Sequence, residues 1–233
     1  MRRLHRNLLI LALLAGGTWL ASGAITSWLA RHPEHNPWAP LTLDQREGWA
    51  TAAKFAALRS SASICRADMA ASGVKLTELP PTGEGQCRRS DRTLLAPPGA
   101  SLSPTAPDAT CAVNFGLQRW LARDVQPAAR RLLGSQVTQI EHYGTYSCRL
   151  MRGKSSWSEH ATANAIDIAA FRLADGRRIS ILKGWHGQGN EALFLKTVRT
   201  SACASFGVVL SPDYNADHAN HLHLDQARWS ICR

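Results

Sequence analysis

The chain has 233 residues, 45% hydrophobic and 19% charged. That is enough apolar matter for one packed domain plus an appendage, and it excludes a disordered chain. The formal net charge is +10, but no Lys/Arg block of the kind that grips nucleic acid is present, so no nucleic-acid partner is expected; an anionic envelope polymer or a membrane face suits such a surface.

The first element is a run without charge from Asn7 to Ala30, preceded by Arg2, Arg3 and Arg6. A spanning helix needs about 20 apolar residues, whereas the core of a cleaved signal has roughly 7–15. The run therefore predicts a single membrane anchor within residues 1–31, with Trp28 near the far interface and Arg31 ending the span. The positive end stays in the cytoplasm, so the remaining chain is expected in the periplasm, held on the inner membrane. Cleavage after Ser22-Gly23-Ala24 is the alternative, and it exports the domain equally.

Residues 32–60 read as a Pro-containing linker, "HPEHNPWAPL", followed by a helix capped by Thr42 and running to about Arg59, with Trp49, Ala52, Ala53 and Ala56 near one face. Residues 61–233 read as the main domain. Within it, residues 79–110 are rich in Pro, Gly, Ser and Thr and predict irregular surface chain. From Cys111 the pattern is orderly. Leu117, Trp120, Leu121 and Val125 recur at helical spacing, Pro127 opens or kinks a second stretch, and Gly134 ends it. "SQVTQIEHYG" predicts a strand, and "NAIDIAAFRL" with "RRISILKG" a hairpin about Asp175-Gly176. A helix is expected from Asn190 to Phe206, then short strands at "VVLSP" and "HLHLD". The sum is an α+β domain: helices packed on a small, mainly antiparallel sheet.

All six cysteines lie beyond the apolar run, and no two form a CxxC. An even count in an exported domain predicts three disulfides, with 15 possible connectivities. Pairing of neighbours, Cys65–Cys87, Cys111–Cys148 and Cys203–Cys232, needs the fewest long loops.

The chemistry concentrates in "SEHATANAIDIA" and "HANHLHLD". His160 and Asp167 are six residues apart in the intervening count, and Asp167 lies near the start of a predicted strand. His221 and His223 are two apart, so on a strand both imidazoles point the same way. Two histidines and one carboxylate leave an open position on tetrahedral zinc, as hydrolytic sites require. A third imidazole beside the metal then serves as base or electrostatic stabiliser. The spacing alone leaves open a surface strand and a helix cap with no metal.

"SEHATANAID" resembles the S-x-H-x-x-G-x-A-x-D motif of the zinc peptidase superfamily that contains lysostaphin, D-alanyl-D-alanine carboxypeptidases and hedgehog, and "HLH" resembles its H-x-H motif. The stretch from about Cys65 to Cys232, including "TCAVNFGLQRWLARDVQPAARRLLG" and "VLSPDYNADHANHLHLD", resembles the bacterial extensin-like C-terminal domain family. The resemblance implies His160, Asp167 and His223 as zinc ligands and His221 as the catalytic histidine that binds no metal. His218 completes an H-x-x-H-x-H spacing similar to that of penicillin-insensitive murein endopeptidases. Arg149, in "YSCR", matches a segment whose arginine holds a substrate carboxylate or carbonyl, and Ser158 matches the leading Ser that supports a ligand. The implied activity is zinc-dependent hydrolysis of peptidoglycan peptides. Two departures stand out: Ala163 replaces the motif's Gly, and Asn220 stands where carboxypeptidases often have Glu. They keep open a noncatalytic metal-binding module that binds the cell wall or an envelope protein. Trp120, Trp157, Trp185 and Trp229 are read as core or rim aromatics, with Trp157 the exception because it lies three residues before His160.

Overall fold

A computed structural model describes residues 2–95 and 100–233; Met1 and residues 96–99, part of the stretch expected to be irregular, lie outside the described residues. The chain divides into two units, Met1–Leu41 with Gln45–Lys54, and Thr42–Asp44 with Phe55–Arg233.

The first unit is dominated by helix α1, Arg2–Arg31. Its stretch from Arg3 to Arg31 is long and apolar enough to cross a membrane, and side chains such as Leu11, Leu13 and Trp19 are exposed along it. Such a helix acts as membrane anchor or export signal; with three disulfides it marks an exported protein.

Helix α2 spans Thr51–Ser60, so the helix expected from Thr42 starts nine residues late. The reason is tertiary. At the expected start Leu43 and Asp44 form a turn within the second unit: the buried Arg119 guanidinium donates to the carbonyls of Thr42 and Leu43, and Leu43 N–H donates to Ser72 Oγ. The helix begins instead at Thr51, whose hydroxyl accepts from Gly48 N–H at 2.8 Å while its own N–H donates to the Gly48 carbonyl. Helix α3, Ala62–Ala71, is capped by Ser61.

The stretch expected to be irregular carries three short strands. These are β2 (Thr93–Leu95), β3 (Ser101–Ser103) and β4 (Asp108–Ala109), and with β1 (Leu76–Glu78) the first and last of them form a small antiparallel sheet in the order β1-β2-β4. Thr93 is fully buried there, and Asn114 Nδ2 donates to its carbonyl and its hydroxyl. Two to three residues per strand are too few for a periodicity to show in the sequence.

Helix α4, Cys111–Trp120, is buried along its whole length. A π-helical turn at Leu121–Val125 leads into α5, Gln126–Leu133, and Gly134 closes it at φ +67°, a left-handed cap. The long strand β6, Ala165–Leu173, is the axis of the main sheet. It pairs antiparallel with β5 (Val137–His142) on one edge; on the other it pairs with β9 (Leu222–Asp225) along its first half and β7 (Arg178–Ser180) along its second. Beyond β9 lie β8 (Val208–Leu210) and β10 (Ile231–Cys232), and β3 runs parallel to β5 at the opposite edge. A short helix α6, Ile181–Gly184, follows β7 directly, where the hairpin strand was expected to continue. Helix α7, Gly189–Ala202, ends four residues before Phe206, because the Ala202 carbonyl accepts from both Ser205 and Phe206 N–H in a closing turn.

Phe171 of β6 meets Trp120 of α4 at 5.9 Å and Phe194 of α7 at 5.3 Å, edge to face. Trp120 and Trp185 are core residues, with their indole N–H groups satisfied by the Val198 carbonyl and Asp213. The architecture is the expected α+β one.

The disulfides are Cys65–Cys111, Cys87–Cys148 and Cys203–Cys232. Neighbour pairing, Cys65–Cys87 and Cys111–Cys148, is therefore corrected. Helix α3 packs on α4 and brings Cys65 to the first residue of α4, where Asp91 also accepts from Cys111 N–H. The chain between them carries Cys87 to the Tyr146–Cys148 loop, where the Arg89 guanidinium lies 4.0 Å above the Tyr146 ring. Packing of elements outweighed the small entropy saved by short loops.

Candidate metal centre

Strand register builds half of the centre. Asp167 on β6 is directly opposite His223 on β9, with Ile166 opposite Leu224 and Ile168 opposite Leu222. The leucine and isoleucine neighbours are buried on the other face, so alternation drives both polar side chains the same way. His160 arrives from a short 3-10 turn, Glu159–Thr162, just before β6. Ser158 Oγ accepts from His160 N–H, and Ser147 N–H donates to the His160 carbonyl. Ser158 thus fixes the turn rather than the ring.

That turn ends at Ala163 with φ +57°, the only non-glycine residue at positive φ among the described residues. The motif's preference for Gly at this point has a physical basis, and this chain meets the left-handed conformation with an alanine. The Ala163 carbonyl accepts from Thr110 N–H at the start of α4, and its side chain is fully buried. The departure leaves the turn's geometry in place.

Three donor atoms converge. His160 Nε2 is 3.2 Å from Asp167 Oδ1 and 3.1 Å from His223 Nδ1, and His223 Nδ1 is 2.9 Å from Asp167 Oδ1. The remaining ring nitrogens decide what these contacts mean. His160 Nδ1 faces the Thr145 carbonyl at 3.0 Å, and His223 Nε2 faces Asp225 Oδ2 at 2.9 Å. Both partners only accept, so both of these nitrogens carry the proton. The neutral rings then aim two lone pairs and a carboxylate oxygen at one point, an arrangement that only a cation or added protons can satisfy. Tetrahedral zinc with bonds of about 2.0–2.1 Å places its ligand atoms roughly 3.3 Å apart. The triangle is of that size, so His160, Asp167 and His223 form a group that could hold a metal ion.

The charges agree. Burial would raise the Asp167 carboxyl, but hydrogen bonds from His160 and His223 outweigh it and hold the group well below the usual carboxylate range. Burial would lower His223, but Asp167 and Asp225 together push it up to about 9. Without metal, a proton takes the cation's place there.

His221 shares the face of His223: its Nε2 lies 3.5 Å from Asp167 Oδ1, and its Nδ1 contacts the side-chain oxygen of Asn220 at 2.8 Å. Burial keeps it below the ordinary imidazole value, with the Asp167 charge opposing and the Arg149 charge adding to the effect. His218 stands one ring further out, 5.1 Å from His221, bonded to Asn215 Oδ1. Burial and its two histidine neighbours lower it to about 4. Arg149, Trp157 and Trp229 line the same cavity of about 570 Å³. Trp157 and Trp229 are exposed to it, and Trp157 bridges to Leu150 across a small hairpin. Glu159 faces this cavity too, held above its usual value by burial and bonded to Asn164. His142 lies away from the centre, against the Thr105 carbonyl, and His186 is exposed.

Two partners escaped the reading of the sequence. Asp225 carried a signal, since it follows His223 by two and so shares its face. The Thr145 carbonyl carried none, because a backbone oxygen has no identity in a sequence.

A disulfide-stapled α+β domain with a partly buried His/Asp/His group that could hold a cation is the class of protein that this fold and site define. Residues 63–233 match the family described as Extensin-like protein C-terminus, and the chain belongs to that family. Comparison with curated proteins and with solved structures found no match.

Proposed function

We propose that this protein is an exported zinc peptidase that hydrolyses amide bonds in peptidoglycan peptides, held by α1 on the inner membrane with its domain in the periplasm. The observation that carries the reading is the pair of oriented imidazoles, His160 and His223, whose lone pairs meet Asp167 beside a third, neutral imidazole.

His160, Asp167 and His223 would hold the zinc, which when bound would supply Lewis acidity to a carbonyl and to water. His221 keeps its Nδ1 proton on the Asn220 oxygen, leaving Nε2 as the lone pair that faces the centre. It takes a proton from the attacking water and returns it to the leaving amine. Its depressed pKa keeps it in the accepting form at neutral pH. His218, also neutral, supports His221 by ring contact. Arg149, exposed on the cavity wall, has no acidic partner among the described residues, and its planar fork suits a substrate carboxylate. Similarity of the two motifs to the lysostaphin and carboxypeptidase superfamily supports the same assignment.

The test is digestion of purified sacculi by the protein, with and without chelator, followed by muropeptide analysis. A product that disappears with chelator and with His160→Ala establishes the peptidase. Stoichiometric zinc with no product points instead to a metal-holding module that binds the wall or an envelope protein.

A further inference from the structure

The last turns of α1 and the chain just after it build an apolar cleft of about 580 Å³, lined by Ala24, Ile25, Trp28, Leu29, Trp38 and Trp49. Trp28, Trp38 and Trp49 are 41%, 83% and 64% exposed. Yet Trp49 is fixed in place. The Trp28 ring stacks on His35 at 5.4 Å, and His35 on Trp49 at 5.7 Å, with interplanar angles of 15° and 20°. Beneath them the backbone is in close contact: Ala50 N–H donates to the Glu34 carbonyl, and a Cβ on Gly48 would come within 2.2 Å of that oxygen. Lys54 Nζ donates to the Pro33 carbonyl at 2.6 Å.

A soluble surface does not normally hold three indoles open around one rigid cleft. Their N–H groups have no protein acceptor among the described residues, in contrast to those of Trp120 and Trp185. Four of the six lining residues belong to the end of the apolar span, which sets the cleft at the depth where acyl chains meet head groups. Indoles prefer that zone, with the ring in the apolar layer and the N–H towards phosphate, ester or water. We infer that this cleft is a lipid-binding site, which takes the upper acyl carbons of an interfacial lipid and seats Trp38 and Trp49 in the membrane surface. The inference rests on α1 as a retained span and is independent of the peptidase reading.

The experiment uses the full chain in phosphatidylethanolamine/phosphatidylglycerol vesicles doped with a lipid bearing a diazirine on an upper acyl carbon. After photolysis, adducts are mapped on the tryptic peptides 32–46, with Trp38, and 47–54, with Trp49. Adducts on both peptides as well as on residues 3–31 are expected, and Trp38→Ala should lower the yield on 47–54 several-fold. Adducts confined to residues 3–31 overturn the lipid site while leaving the span intact. Chain-to-chain cross-links through these peptides in place of lipid adducts would make the occupant a second copy and overturn it as well. A mature protein beginning after Ala24 overturns both the span and the site.

Discussion

His221 and Asp225 both neighbour His223, one with no bond to it and the other holding its Nε2, and their replacement should separate two kinds of loss. His221→Ala removes the proposed base and leaves the donor triangle whole. Turnover on sacculi should fall roughly 10²–10³-fold with zinc content unchanged, since losing one transition-state stabiliser typically costs that much. Unchanged turnover with zinc bound would refute the role. Asp225→Asn keeps a side-chain oxygen that can accept from Ala227 N–H but loses the carboxylate that fixes the His223 tautomer. Zinc affinity, measured by competition with a chromogenic chelator, should fall about 10–100-fold. If affinity holds, the tautomer of His223 is set by something other than Asp225.

The elements show what the sequence could and could not disclose. Asp167, His221 and His223 were legible because strand alternation is written in the residues themselves, and register then placed Asp167 opposite His223. His160 was legible only through its motif, since nothing local marks a 3-10 turn as the bearer of a ligand. The late start of α2 and the strands within residues 79–110 were not legible, because Arg119, Ser72 and Asn114 decide them from distant parts of the chain. Disulfide connectivity failed for the same reason: it follows the packing of α3 on α4. The Cys87–Cys148 bridge matters most to the site, as it ties down the loop whose Thr145 carbonyl orients His160. Closing 61 residues of separation, it should contribute about 4 kcal/mol by chain entropy. Cys87→Ser with Cys148→Ser should therefore lower stability by a few kcal/mol in urea unfolding and weaken zinc binding in the chelator assay. Lower stability with undiminished zinc affinity would show that the loop's position does not depend on the bridge.

At the scale of the molecule, a metal held at the centre would be linked to protons and to folding. His223 stands near 9 in the metal-free fold, against about 6.5 in an unfolded chain. A raised pKa adds stability that is fully present below pH 6.5, where both states carry the proton, and is lost as pH rises through 9. Zinc must displace that proton, so its affinity should climb up to tenfold per pH unit across the same window. The two effects have opposite signs. The melting temperature of the chelated protein should fall between pH 6.5 and 9, while the increment caused by a fixed zinc concentration should grow. At a free zinc level a hundred times its dissociation constant, the metal adds about 2.7 kcal/mol, roughly 5–10 °C for a domain of this size. Calorimetry in buffers of different ionisation heat checks the same linkage, since about one proton should leave His223 for each zinc bound near pH 7.5. A metal-free melting temperature that stays level over this window, with no proton released on binding, would mean that Asp167 and Asp225 do not hold His223 between them.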